Sequence, residues 1–384
     1  MPLEPAVNLH PTARPVLPSL PVAGPFFSTP AQRTQLARER FFEQGRRPTG
    51  IVGEEVIQSW TRCLGAGLQP HQRPEFEPVT RARTKAVLER GHPLLQSAVP
   101  ELDQLDGMLA GTACKTLLTD REGIVLRATP AGAGAGELLD SIGRVGVFLG
   151  EANFGSTAPG ISVNTGRDCG VAGAEHFFGV LQSLYCAAAP VRDRQGRVVG
   201  VLDVSVQGAP FAFDALALVR LCVAGIENRL LAAQSLGELV LCLQASPALL
   251  GTPLEGRVAV AEDGSIVGVN AAASRLLQAP DEGRGLDVEG LLGLTLAQLQ
   301  RLRGTTVPQP HRLPSGLRLW LVLGGGEAPA APAVASAASL RAVNDQLIAD
   351  TLRQCEGNLA LAARTLGVSR GLLYRRLRRA SPPD

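Results

Sequence analysis

The chain is predicted to be an α+β multidomain protein. Three observations carry that reading. Short strands recur in pairs around Asp-rich turns that end in glycine, at Asp120–Gly123, Asp193–Gly196 and Asp263-Gly264. Between and after these hairpins the apolar period changes to that of a helix. The last stretch is helical throughout and follows the linker "GGGEAPAAPAVASAAS".

A length of 384 residues suits roughly two or three domains. The expected organisation has six parts. A disordered proline-rich tail occupies 1–30 and an N-terminal helical segment 31–98. An α+β domain follows at 99–238 and a smaller one at 246–325. A flexible linker at 326–338 then leads to an all-α domain at 339–384.

In the helical segment, "EEVIQSWTRCLGAGLQP" sets Val56, Ile57, Trp60 and Leu64 on one face. Gly65, Gly67 and Pro70 close that helix. Trp60 and Cys63 read as packing residues. In the first α+β domain, "CKTLLTDREGIVLRAT" and "YCAAAPVRDRQGRVVGVLDVSV" are the hairpins. A long helix at about 213–238 closes the domain. In the second, Asn270 is placed to cap a short helix, and a strand pair is expected at about 311–323.

Formal net charge is +2, so the overall balance names no partner. No apolar run reaches the ~18 residues of a membrane span. The N-terminus lacks the basic start and apolar run of a secretion signal. The seven cysteines form no C-x-x-C, which points to a reducing cytoplasm without a zinc cluster. No membrane partner and no cofactor are expected.

The C-terminal segment carries the most specific chemistry. Leu340, Val343, Leu347, Ile348 and Leu352 make an apolar face. Gly357 stops that helix and Asn358 caps the next. Gly367 makes a tight turn, and Ser369 caps a last helix packed through Leu373 and Leu377. Six arginines and no acidic residue lie between Asn358 and Ala380. Arginine holds phosphates and reads guanine in the major groove, so double-stranded DNA is the expected partner. A solvated basic helix against an acidic protein is the blander alternative. The segment resembles the Fis-type helix-turn-helix of sigma-54-dependent regulators. That resemblance implies DNA contacts at Asn358, Ser369, Arg370, Tyr374, Arg375 and Arg376, with Arg378 and Arg379 on the same basic helix. It also implies a homodimer formed through about 340–355. Leu372 and Ala360 depart from the pattern by removing polar groups.

Further upstream, "IQSWTRCLGAGLQP", "NFGSTAPGISVNTGRDCGVAGAEHF" and "CAAAPVRDRQGRVVGVLDVS" resemble the acetoin-catabolism-regulator group of that superfamily. The resemblance implies a GAF-type sensor domain, an antiparallel sheet with flanking helices, and a small-molecule effector. "AEDGSIVGVNAAASRLL" resembles a degenerate PAS domain. The superfamily's central ATPase has no counterpart. "LGEANFGSTAPG" spaces Gly150 and Gly155 like a phosphate-binding loop, but Ser156 replaces the lysine and Pro159 follows closely. It reads as part of the sensor wall.

Effector-pocket candidates are Asn153, Thr157, Glu175, His176, Phe177 and Cys186. The alternative is that Glu175 and His176 are structural hydrogen-bonding residues. Only His176 falls in that domain, so a metal is not expected. The leading expectation is a ligand-responsive, DNA-binding transcriptional regulator, not an enzyme, with RNA polymerase as a candidate partner. A thiol-based redox sensor or enzyme using Cys186 or Cys169 is one alternative, against the reading that both are buried and inert. An adaptor that binds another regulator is the other.

Overall fold

The computed structural model describes residues 29–129, 136–279 and 285–324, all within one compact unit. The expectations for the proline-rich tail, the linker and the C-terminal helices lie outside the described residues, apart from Thr29 and Pro30.

Four helices come first: α1 (Pro30–Phe42), α2 (Glu54–Gly65), α3 (Arg81–Arg90) and α4 (His92–Leu109). The hairpin β1 (Lys115–Asp120) and β2 (Val125–Ala128) leads to the short helices α5 (Glu137–Ile142), α6 (Glu151–Phe154) and α7 (Ala158–Thr165). Strands β3 (Cys169–Ala172), β4 (Leu184–Arg192) and β5 (Val198–Gln207) complete the first sheet, and α8 (Ala215–Gln234) closes it. The sheet is antiparallel with order β2-β1-β5-β4-β3.

Both Asp-rich turns work alike. Asp120 Oδ1 accepts from the amides of Glu122 and Ile124, both at 2.9 Å. Asp193 Oδ1 accepts from those of Gln195 and Arg197 at 2.9 and 3.0 Å. The short side chain thereby replaces a backbone acceptor and fixes the reversal.

Helices cover both faces of this sheet, so β1 is buried at every residue instead of alternating. Leu117, Ala188 and Val201 face a core with Trp60, Phe154 and Phe177. Leu118, Ala187 and Leu202 face the opposite core with Leu102 and Ile226. This corrects the expected boundary at 98/99. Helices α1 and α2 bring Ala37, Val56 and Trp60 into the first core, and α4 runs past the boundary to pack on α8. Leu64 is also corrected. It is 40% exposed, while Ser59 and Cys63 lie inside. The last turn of α2 extends past the packed face, and the small side chains approach Ser156.

The second sheet contains β6 (Leu239–Gln244), β7 (Gly256–Val260) and β8 (Ile266–Val269), then β9 (Gln309–Arg312) and β10 (Arg318–Gly324). Between β8 and β9 lie α9 (Ala271–Leu277), α10 (Val288–Leu292) and α11 (Leu296–Arg301). The order is β8-β7-β6-β10-β9, again antiparallel. The first strand, β6, is therefore the central one. The expected start at 246 left it out, because "LVLCLQ" follows the long helix after only four residues. Asn270 Oδ1 caps α9 through the Ala273 amide at 2.8 Å. Its Nδ2 donates to Asn228 Oδ1 on α8 at 2.6 Å, and Arg257 donates to the Asn228 carbonyl at 2.9 Å. A buried polar network thus joins α8 to the second sheet.

Candidate functional site

Alternation along β5 places Asp203, Ser205 and Gln207 on the face turned to α7. Cross-strand register fixes their neighbours. Asp203 stands between Leu117 and Ala188, and Ser205 between Lys115 and Cys186. Cys169 of β3 continues the first row and Val171 the second. Polar groups therefore interrupt the apolar core along two adjacent rows.

Asp203 is completely buried. Its Oδ2 accepts from Ser205 Oγ at 2.7 Å, while its Oδ1 has no partner. Gln207 Oε1 is likewise unpartnered. Burial raises the Asp203 pKa to about 7, so the group is partly a neutral acid near neutral pH. Lys115, at the rim, pairs with Asp140 at 3.1 Å.

His176 is completely buried next to this cluster. Its Nδ1 lies 3.0 Å from the Gly173 carbonyl, and its Nε2 lies 3.5 Å from Cys186 Sγ. The Nδ1–H tautomer satisfies both contacts, with the thiol donating to Nε2. Burial lowers the imidazole pKa to about 4 and pushes the Cys186 thiol well above its ordinary value. The pair is a neutral hydrogen bond, not an activated thiolate and base. Cys169 is pushed up to about 12, again by burial. The thiol chemistry considered for Cys186 and Cys169 lacks the lowered pKa it needs.

The other candidates take different places. Phe177 is core, stacked edge-on against Phe42 and Phe178. Thr157 caps α7 by accepting from the Gly160 amide at 3.2 Å. Asn153 joins the Glu75 and Phe148 backbones. Glu175 is half-buried, which raises its pKa to about 7, and its carboxylate accepts from the Ala172 amide at 2.8 Å. The geometry brings His176 and Cys186 together, while Thr157 and Glu175 bond nearby backbone amides and Asn153, on α6, ties two backbone segments. The eight arginine-helix candidates from Asn358 to Arg379 lie outside the described residues.

Sequence reasoning passed over three participants. One is Asp203, whose signal was an acidic residue inside the apolar strand "GVLDVSV". Another is Arg38, which reaches from α1 to the carbonyls of Ala174, His176 and Phe177 at 3.2, 2.6 and 2.5 Å. The third is Glu151, inside the look-alike loop. It accepts from Ser59 Oγ at 2.6 Å and from Arg62 twice at 2.7 Å. "GEANFGST" is therefore helix, glycine and helix cap, docked on α2. No strand enters it as a phosphate loop would require.

Asp203, Ser205, Cys186 and His176 are all buried. Together they gather an acid, a hydroxyl, a thiol and a neutral imidazole away from water. Among the described residues no group of three His, Cys, Asp or Glu could hold a metal ion. None of their helices is long and apolar enough to cross a membrane.

Comparison with known proteins adds a further layer. Residues 29–227 match the family described as MimR, N-terminal domain. Residues 339–379 match the family described as bacterial regulatory protein, Fis family. The acetoin catabolism regulatory protein of Cupriavidus necator is 31% identical over 59% of this chain and 35% of its own length. The propane 2-monooxygenase operon transcriptional activator MimR of Mycolicibacterium smegmatis is 30% identical over 53% of this chain and 33% of its own. The matches thus span about a third of these relatives. The structure of the E. coli DhaR(N)-DhaL complex is similar at 17% identity with a TM-score of 0.45, covering 71% of this chain and 100% of that one.

Proposed function

The chain belongs to the MimR N-terminal-domain family, and on that premise we propose that it is a ligand-responsive, DNA-binding transcriptional regulator. The observation that carries this reading is the joint occurrence of the MimR match at 29–227 and the Fis match at 339–379. In our reading the first lobe is a GAF-type sensor and the second a PAS-like unit. The Fis-type segment binds a roughly palindromic DNA site as a homodimer. Asn358, Ser369, Arg370, Tyr374, Arg375, Arg376, Arg378 and Arg379 are its proposed DNA contacts. A cytoplasmic location suits the six free cysteines of the described residues.

The regulator works without ATP hydrolysis in this proposal. The interval 228–338 between the two matches contains the second sheet, which leaves no room for an ATPase domain. Contact with RNA polymerase or occlusion of its site would then transmit the signal.

The effector is proposed to bind at Asp203, Ser205, Cys186 and His176. Its class is an uncharged molecule of a few carbons bearing hydroxyl or carbonyl groups. The unpartnered Asp203 oxygen in a buried site supports this. The relatives' printed names, with acetoin and glycerol among them, supply natural probes.

Footprinting on the DNA upstream of its own operon tests the DNA reading. Protection is expected in the wild type and lost with Arg370→Ala plus Arg375→Ala. No protected site in the wild type, or unchanged protection in the variant, would sink it. For the sensor, thermal unfolding with acetoin, glycerol and acetate is the measurement. A neutral probe should raise Tm by mass action, acetate should not, and Asp203→Leu should abolish the rise.

A further inference from the structure

The two α+β lobes meet along a solvent-facing groove of about 630 Å³. Arg167, Arg192 and Leu221 line it from the first lobe, Leu254 and Arg275 from the second. Its apolar wall is uncovered, with Leu221 42% and Leu254 47% exposed. A volume of this size falls in the range of small-molecule sites.

Among the described residues, the charges that line the groove do not balance. Arg220 is neutralised by Asp168. Arg192 spends its guanidinium on the carbonyls of Gly166 and Gly196, at 2.6 and 2.7 Å, which adds no negative charge. Among the described residues, Arg167, Arg192 and Arg275 have no carboxylate within ion-pair distance. Glu227 is the one other carboxylate on the lining, and its Oε1 accepts from the Arg192 amide at 2.8 Å. Among the described residues of the lining, three cations therefore stand against one anion, beside an exposed apolar wall. Arg192 and Arg275 also border an adjoining hollow of about 290 Å³.

We propose that this groove is a second ligand site, separate from the Asp203 cluster, for an amphipathic anion. The ligand class is a carboxylate or phosphate head on an apolar chain of several carbons. Arg167 and Arg275 take the head through charge-assisted hydrogen bonds. Leu221 and Leu254 take the chain. Such a ligand touches α8 and α9 together, so it bears on both lobes at once.

Calorimetric titration of the full chain with octanoate and octyl phosphate tests this, with 1-octanol and inorganic phosphate as controls. At least one amphipathic anion should bind, and weaken as salt rises. Whichever head binds more tightly identifies the source. Arg167→Gln plus Arg275→Gln should weaken binding about tenfold or more, the scale of a lost charged hydrogen bond. Leu254→Asp should weaken it further. All three positions are exposed, so these variants should fold, and circular dichroism checks that. Asp203→Asn should leave binding unchanged, which keeps this site distinct from the effector reading. Failure of both anions to bind at millimolar concentration would overturn the proposal. So would octanol or inorganic phosphate binding as tightly, or unaltered affinity in the arginine variant.

Discussion

Arg38 donates to the carbonyl of His176 at 2.6 Å across 138 residues of sequence. The same guanidinium reaches the carbonyls of Ala174 and Phe177, and Trp60 Nε1 donates to that of Glu175 at 2.8 Å. Four consecutive carbonyls are thus held by two side chains from α1 and α2. The segment that carries His176 is positioned by the N-terminal helices, not by the sheet alone. Arg38 also lies 4.7 Å over the Phe42 ring. Burial lowers its pKa to about 10, so it stays charged at neutral pH.

Replacing Arg38 by Met should therefore cost about 3 kcal/mol, because buried carbonyls lose their donors. Arg38→Lys should recover only part, since an ammonium lacks the planar fork. Urea unfolding measures both. A midpoint unchanged by Arg38→Met would show that the carbonyls find other partners.

The Arg62–Glu151 pair should behave as a coupled unit. Glu151 is 6% exposed and accepts three hydrogen bonds. Arg62→Gln alone strands a buried carboxylate and should cost about 3 kcal/mol. Adding Glu151→Gln to that variant should cost little more, giving a coupling energy above about 1 kcal/mol in a double-mutant cycle. Additive effects would mean that the two side chains act independently.

These two contacts explain what was legible in the sequence. The hairpins were readable because Asp120, Asp193 and Asp263 act within a few residues of themselves. The Asn270 cap was readable for the same reason. Arg38, Arg62 and Glu151 act across 89 residues or more, and local pattern carries no trace of the partner. Leu64 and Cys63 show the limit on a single helix. Helical spacing located the apolar face, but only the neighbour Ser156 decides that the smaller residue goes in. Strand β6 was missed because its central place depends on β7 and β10, both later in the chain.

Asp203 should make stability depend on pH in a definite direction. Its folded pKa is raised to about 7 from 3.8. Below the lower value both states are protonated and the group is neutral in its effect. Between the two, the unfolded chain releases the proton and the folded one keeps it, so stability falls as pH rises. Above about 7 the loss levels off, near 4 kcal/mol at roughly 1.4 kcal/mol per unit. Asp203→Asn keeps an acceptor for Ser205 and removes the titration. Its stability relative to the wild type should improve by about 2–3 kcal/mol between pH 5 and pH 8. Guanidinium unfolding at the two pH values measures this. A difference that does not change with pH would mean that the carboxyl is solvated in the folded state.

Cysteine reactivity separates a polar sensor from a thiol-based one. Cys63, Cys169, Cys186, Cys222 and Cys242 are buried, and Cys114 is half-buried. Burial pushes Cys63 up to about 11, and Cys169, Cys222 and Cys242 up to about 12. Thiolate, the attacking species, is therefore scarce at each of these positions near neutral pH. Peptide mapping after a brief pulse of iodoacetamide at pH 7.5 should find Cys114 labelled ahead of those five. Cys186 should react only once the chain unfolds, with a rate that follows the unfolding equilibrium in added urea. Rapid native-state labelling of Cys186 or Cys169 would overturn the neutral Cys186–His176 hydrogen bond and restore a redox role to this cluster.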